Sequence, residues 1–172
     1  MACERCASEP YSGELCRSCF LAHIERRIRK DLRMNALISK GDTLILTDPL
    51  CRRVIEDIVQ GMPLTITDDG GAPGKRVLPW TMDDEICYFL KRFLAGEEYP
   101  ELGHGKAIKL FLTVREKELE AFAKAKGLPF TPRPRDRFRA LIDNLEARHP
   151  ETRFSLAKSI EEIRGIVRTK TI

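Results

Sequence analysis

The sequence predicts an α/β fold, a small parallel sheet interleaved with helices, preceded by a four-cysteine zinc ribbon. Three observations carry this reading. Short apolar runs at Thr43–Thr47, Leu64–Thr67 and Ile108–Leu112 alternate with amphipathic stretches, as in right-handed βαβ units. Cys3 and Cys6 form one C-x-x-C pair and Cys16 and Cys19 another, both within the first nineteen residues. The chain is 42% hydrophobic and 33% charged over 172 residues, enough for one medium domain and a small metal module.

Each cysteine pair suits a knuckle turn that points two thiolates at one ion, and four thiolates are what a structural Zn²⁺ takes. Pro10, Ser12 and Gly13 mark a turn between the pairs. A closed site of this kind holds shape and carries no chemistry. The same thiolates also suit an iron centre, and a redox pair or two disulfides is the competing reading. The longest apolar runs are too short to span a bilayer, and no signal peptide fits a start that leads straight into cysteines. The expectation is a cytoplasmic protein without a membrane partner.

From Phe20 to about Ile38 the apolar residues Phe20, Leu21, Ile24, Ile28, Leu32 and Leu37 form one helical stripe. Thr43–Thr47 is a buried strand. Asp48 and Pro49 open a helix from Leu50 to Gln60, and Leu64–Thr67 is the next strand. Asp68–Lys75 is a polar glycine-rich loop and Arg76–Pro79 a third strand. Thr81 with Asp84 resembles a capping box for a helix reaching Leu94, followed by a loop over 95–106. Ile108–Leu112 is a strand, and Thr113 with Glu116 starts a helix that ends at Lys126-Gly127. Leu128–Phe130 is a short final strand. Helices follow at Asp136–Arg148 and Arg153–Val167, and no internal repeat is seen. The organisation expected is a metal module at 1–20, a basic connecting helix at 21–40 and an α/β domain at 41–172.

The formal net charge is +4; four thiolates and one Zn²⁺ would bring it to about +2. The distribution of charge says more. Arg26, Arg27, Arg29, Lys30 and Arg33 crowd one stretch, and Arg133, Arg135, Arg137 and Arg139 another. Each is either a phosphate- or partner-binding surface or a solvated helix face. In parallel sheets ligands sit at the carboxyl ends of strands, which directs attention to Asp48, Pro49, Leu50, Cys51, Arg52 and Arg53. Cys51, at a helix start beside two arginines, reads as a reactive thiol or a small buried hydrophobe. Cys87 reads as core. Asp83, Asp84 and Glu85 read as Mg²⁺ ligands beside a nucleotide or as acids favourable to a helix N-terminus. His23 sits near or outside the metal module, His149 at a helix end and His104 in a loop. Gly70–Lys75 only faintly resembles a phosphate loop, since Arg76 stands where Ser or Thr belongs.

Several segments resemble, in collinear order, the tRNA 2-thiouridine synthetases, PP-loop ATP pyrophosphatases that thiolate tRNA. They are the cysteine module with its basic helix, Gly41–Leu46, Met82–Glu85 with Phe93–Gly96, Val114–Leu119 with Lys126–Phe130, and Leu145–Leu156, which is similar to the family's L-E-E-R-H-P-G-T-K-F-S-L. The resemblance implies a reduced PP-loop-type (adenine nucleotide alpha hydrolase-like) domain. The departures shape the function. The family's S-G-G-K-D-S falls on Thr47-Asp48-Pro49-Leu50-Cys51-Arg52. A phosphate cradle needs glycine N–H groups and a cation; Asp48 brings a like charge, Pro49 has no N–H and Leu50 replaces the lysine. The family's mid-domain cysteine pair, and its cysteine after G-I-P-F, are unmatched. ATP binding and sulfur transfer are therefore not expected. The expected role is a non-catalytic accessory or regulatory one, binding tRNA, a thiolation enzyme or both, with a homodimer as one arrangement. The alternatives are a diverged nucleotide-dependent transferase using Asp83–Glu85 and Cys51, and a zinc-ribbon protein-interaction module.

Overall fold

The computed structural model describes residues 2–97 and 107–170, the last seven by backbone alone. The loop around His104 lies outside the described residues. The elements run α1 (Arg17–Met34), β1 (Thr43–Ile45), α2 (Pro49–Ile58), β2 (Thr65–Thr67), β3 (Lys75–Thr81), α3 (Met82–Leu94), β4 (Ala107–Phe111), α4 (Glu116–Lys126), α5 (Arg137–Arg148) and α6 (Thr152–Lys170).

The expected parallel α/β fold is present. Four strands pair in the order β2-β1-β3-β4, all in parallel, with Leu44 opposite Ile66 and Val77 opposite Ile108. Parallel strands need crossovers long enough to return the chain, and α2 supplies one between β1 and β2. Leu44, Leu46, Val77, Ile108 and Leu110 alternate along their strands, so they share one face of the pleat. They join one core with Phe20, Ile24, Ile28 and Leu32 of α1, Val54 and Ile55 of α2, and Leu119 and Phe122 of α4. The apolar stripe of α1 thus follows the i, i+4, i+8, i+12 period that the sequence shows.

The chain divides into two compact units. The four strands with α1, α2, α4 and the cysteine module form one. The helices α3, α5 and α6 form the other, around Met82, Ile86, Phe89, Phe138, Ile142 and Ile160.

Three local expectations change. Leu128–Phe130 is not a strand; Gly127 takes a left-handed cap with φ 69°, and Leu128 N–H then bonds back to the Ala123 carbonyl. That bond closes the helix, and Leu128 and Phe130 pack on the core without joining the sheet. β3 is longer than expected and runs to Thr81, with α3 beginning at Met82, so Thr81 serves as the last strand residue. The start of α4 falls at Arg115 rather than Thr113, because the Glu118 carboxylate accepts from the Arg115 N–H at 2.9 Å.

Candidate metal centre and the loop beyond the first strand

Two tight turns bring the four cysteines together. The Cys3 N–H donates to the Ser8 carbonyl, and Ser12 and Leu15 pair across a short antiparallel bridge. Ala7 at φ 60° and Gly13 at φ 57° give the turns their left-handed residues. Cys16 is the N-cap of α1, which places Cys19 in its first turn. The four Sγ atoms all lie within 4.8 Å of one another, with Cys6 3.4 Å from Cys16 and 3.7 Å from Cys19. A single ion holding four sulfurs at about 2.3 Å needs sulfurs about 3.8 Å apart, so the group could hold one metal ion. Crowding splits the thiols. Cys16 is lowered to about 6 by the Ser18 hydroxyl and the Cys19 backbone, and Cys19 is pushed up to about 12 by the thiols of Cys16 and Cys6. Four adjacent thiolates need a cation among them to ionise together.

The module is tied to the sheet unit by its side chains. The Tyr11 hydroxyl donates to the Ala121 carbonyl at 3.0 Å, and Arg17 Nε donates to the Ala125 carbonyl at 3.1 Å. Both acceptors lie on α4. The Tyr11 ring also packs on Phe20 at 5.9 Å between centroids. His23 is half-buried with Nδ1 unpartnered; burial, then the positive charge of Arg27, lowers its pKa.

The loop after β1 does not form an open anion seat. Asp48 is the N-cap of α2, and its carboxylate accepts from the Cys51 N–H at 2.8 Å, with Pro49 in the first turn. The side chain of Asp48 therefore occupies the place where a helix N-terminus would receive a phosphate. Leu50 and Cys51 are buried in the core, and Arg52 reaches back to the Leu46 carbonyl at 3.4 Å. A fully buried thiol is closed to reagents, so Cys51 takes the small-hydrophobe role. In the next loop Asp69 accepts from the Gly71 N–H, and Lys75 is committed to Asp42 at 2.7 Å and to the Leu37 carbonyl. Gly74 is required there, since a Cβ would lie 2.6 Å from the Thr43 carbonyl oxygen.

The acidic triplet sits in the helical unit and is taken up internally. Asp83 pairs with Arg153 Nε at 2.7 Å, and Asp84 with Arg139. Arg153, buried, also meets Asp143 and Glu146. Asp83, Glu85 and Arg139 are buried too. This arrangement locks α3, α5 and α6 together rather than presenting carboxylates to a metal. Sequence reading did not single out Arg153, because its partners lie ten, seven and seventy positions away. The Cys87 thiol is buried on α3 and pushed up to about 11 by burial.

The two basic clusters part company. In the second, Arg139 is an interior cation, Arg133 lies 3.6 Å from Asp84, Arg135 pairs with Asp143 and Arg137 stacks on Phe138. Arg139 is thus removed from any contact surface. In the first, Arg27 is half-buried and taken up by the protein, bonded to Glu118 and to the Thr113 carbonyl. Arg26, Arg29, Lys30 and Arg33 are exposed.

No family model matches the chain, and no curated protein matches its sequence. Among solved structures, the U34-tRNA thiolase NcsA from Methanococcus maripaludis with its [4Fe-4S] cluster is similar in fold, with a TM-score of 0.69 at 16% identity. The match covers 95% of this chain and 87% of that one. At that identity the likeness speaks for the fold. No helix among the described residues is long and apolar enough to cross a membrane.

Proposed function

We propose that this protein is a non-catalytic accessory to RNA thiolation, a metal-stabilised PP-loop-type scaffold that binds tRNA, a thiolation enzyme or both. The observation that carries the reading is the Asp48 cap. The backbone N–H that a phosphate would need is held by the protein's own carboxylate, and the adjacent Pro49 and Leu50 supply neither donor nor cation. The fold likeness to a U34-tRNA thiolase supports the field of action. The family-like segments Met82–Glu85 and Leu145–Leu156 hold the helical unit together through Arg153, so what the chain shares with the family is framework.

The ion at Cys3, Cys6, Cys16 and Cys19 is a single structural Zn²⁺ in this reading. In a four-iron cubane each thiolate caps a different corner, which sets the sulfurs farther apart than a single ion does, and the four Sγ atoms here lie within 4.8 Å of one another. The transferase alternative is disfavoured by the buried Cys51 and the ion-paired Asp83 and Asp84. The protein-docking alternative draws on Leu141 and Leu145, exposed one turn apart on α5.

The test is equilibrium dialysis of the metal-loaded protein against Mg²⁺–ATP, with pyrophosphate release followed in parallel. No saturable binding and no release are expected. Saturable binding that disappears in Asp84→Ala would replace this reading with the transferase one. Affinity capture from native cells, followed by RNA sequencing and mass spectrometry, is expected to enrich tRNA or a thiolation enzyme. Recovery of neither would remove the assignment to thiolation.

A further inference from the structure

Resting on the accessory reading for its choice between RNA and DNA, we infer that the outer face of α1 docks on the phosphate backbone of double-helical RNA, without reading its sequence. Arg26, Arg29, Lys30 and Arg33 stand at i, i+3, i+4 and i+7 of one 18-residue helix. That spacing places all four on one side of the cylinder. The opposite side of α1 is buried through Phe20, Ile24, Ile28 and Leu32, so the four cations face outward on a helix that cannot roll.

These cations are not spent on the protein itself. The acids nearest in sequence are engaged elsewhere: Glu25 with Lys126, and Asp31 with the Asn35 side chain. No ion pair joins Arg26, Arg29, Lys30 or Arg33 to an acid among the described residues. The second arginine cluster shows the contrast, since Arg133, Arg135 and Arg139 each have a carboxylate partner. Four unpaired cations on one helix side repel one another, and a polyanion relieves that repulsion.

Shape and composition favour a nucleic-acid backbone over an acidic protein. By helical rise the stripe is about 10 Å long. A DNA duplex carries one charge about every 1.7 Å of axis with both strands counted, so about six phosphates fall within the length of the stripe, enough to offer four contacts on the facing side. A protein interface centres on apolar and aromatic side chains. Between the four cations of α1 the outward face offers none, and the first large apolar side chain on that side is Met34, past the last cation.

The experiment is fluorescence anisotropy of the full-length, metal-loaded chain with a labelled 16-base-pair RNA duplex of arbitrary sequence, across about 50–200 mM salt. With four phosphate contacts, log K should fall against log salt with a slope of about −3.6. Arg29→Gln with Lys30→Gln should flatten the slope by about two, because each lost phosphate contact removes about one. Lys117→Gln with Lys124→Gln on α4 removes the same charge from another exposed surface, and should leave the slope within about half a unit of the wild type. Arg26→Lys with Arg29→Lys should keep it as well, since a backbone contact needs charge and not a fork. Equal flattening by the α4 pair would mean attraction by net charge alone and would overturn the assignment. So would polyglutamate competing as well as a second, unlabelled duplex, which would transfer the surface to acidic proteins. ATP turnover together with an intact α1-dependent slope would remove the accessory reading and leave this surface standing. No turnover and no α1 dependence would remove the surface alone.

Discussion

Asp48 and Arg153 show how single side chains set what this molecule does. Asp48 caps α2 through the Cys51 N–H, and removing such a cap costs about 1 kcal/mol. Asp48→Ala is expected to lower the unfolding free energy by that amount, read as a lower urea midpoint at unchanged m, without creating ATP binding, because Pro49 and Leu50 remain. An unchanged midpoint would show that the cap is not what holds the helix start. Arg153 neutralises Asp83 inside the helical unit. Arg153→Ala would leave that carboxylate buried without a counter-ion, at a cost of about 3 kcal/mol. Hydrogen exchange over α5 and α6 reads this directly, and protection unchanged from the wild type would sink the hub role. The sequence exposed the first of these residues and hid the second. The helix-start signal of Asp48-Pro49, with no glycine beside it, is visible in a run of six letters. The partners of Arg153 are brought to it by the α5–α6 turn and by α3, which no local pattern encodes.

Among the elements, α1 does two jobs at once. Its first turn carries two of the four candidate ligands, Cys16 and Cys19, and its inner stripe is part of the sheet core. Removing the metal should therefore free the turns at 2–15 while α1 stays folded, since Phe20, Ile24, Ile28 and Leu32 are buried independently of any ion. Exchange measured before and after chelation is expected to rise in the cysteine turns and not in α1. A rise throughout α1 would mean that the ion nucleates the helix. The last turn of α4 should also loosen, because the Ala121 and Ala125 carbonyls are bound by Tyr11 and Arg17. Periodicity made α1, α2 and α4 readable in advance, since each buries a helical stripe. The Leu128–Phe130 segment misled because three apolar residues in a row suit a strand or a loop equally, and the left-handed Gly127 cap decided between them.

At the scale of the whole molecule, each unit has long-range ion pairs that tie its own elements together. Lys75 at Asp42 holds that carboxyl below its usual value. Lys91 does the same for Asp136. Burial works to raise Glu118, but bonds from Arg27 and from the Arg115 N–H outweigh it and hold it low. A depressed carboxyl contributes stability above its unfolded pKa, which is lost as pH falls through the folded one. The stability is expected to ease below about pH 6.5, where His23 must charge against its lowered pKa, and to fall steeply below about pH 4 as the carboxyls protonate. A thermal-melt series over pH 2–7 checks this, and a decline already complete at pH 5 would point to histidine instead. The parallel sheet itself was foreseeable from alternating apolar runs. The strand order β2-β1-β3-β4 was not, because it depends on which strand each crossover returns to, and that choice is made by packing.

The Asp48 cap also has a consequence in evolutionary time. A loop residue without a structural duty can be exchanged freely. Asp48 has such a duty, so glycine in its place would weaken α2 slightly, and a phosphate cradle there would still need changes at Pro49 and Leu50. The loop is thus tied to its present residues by the helix it starts, while the exposed faces of the chain are freer to vary.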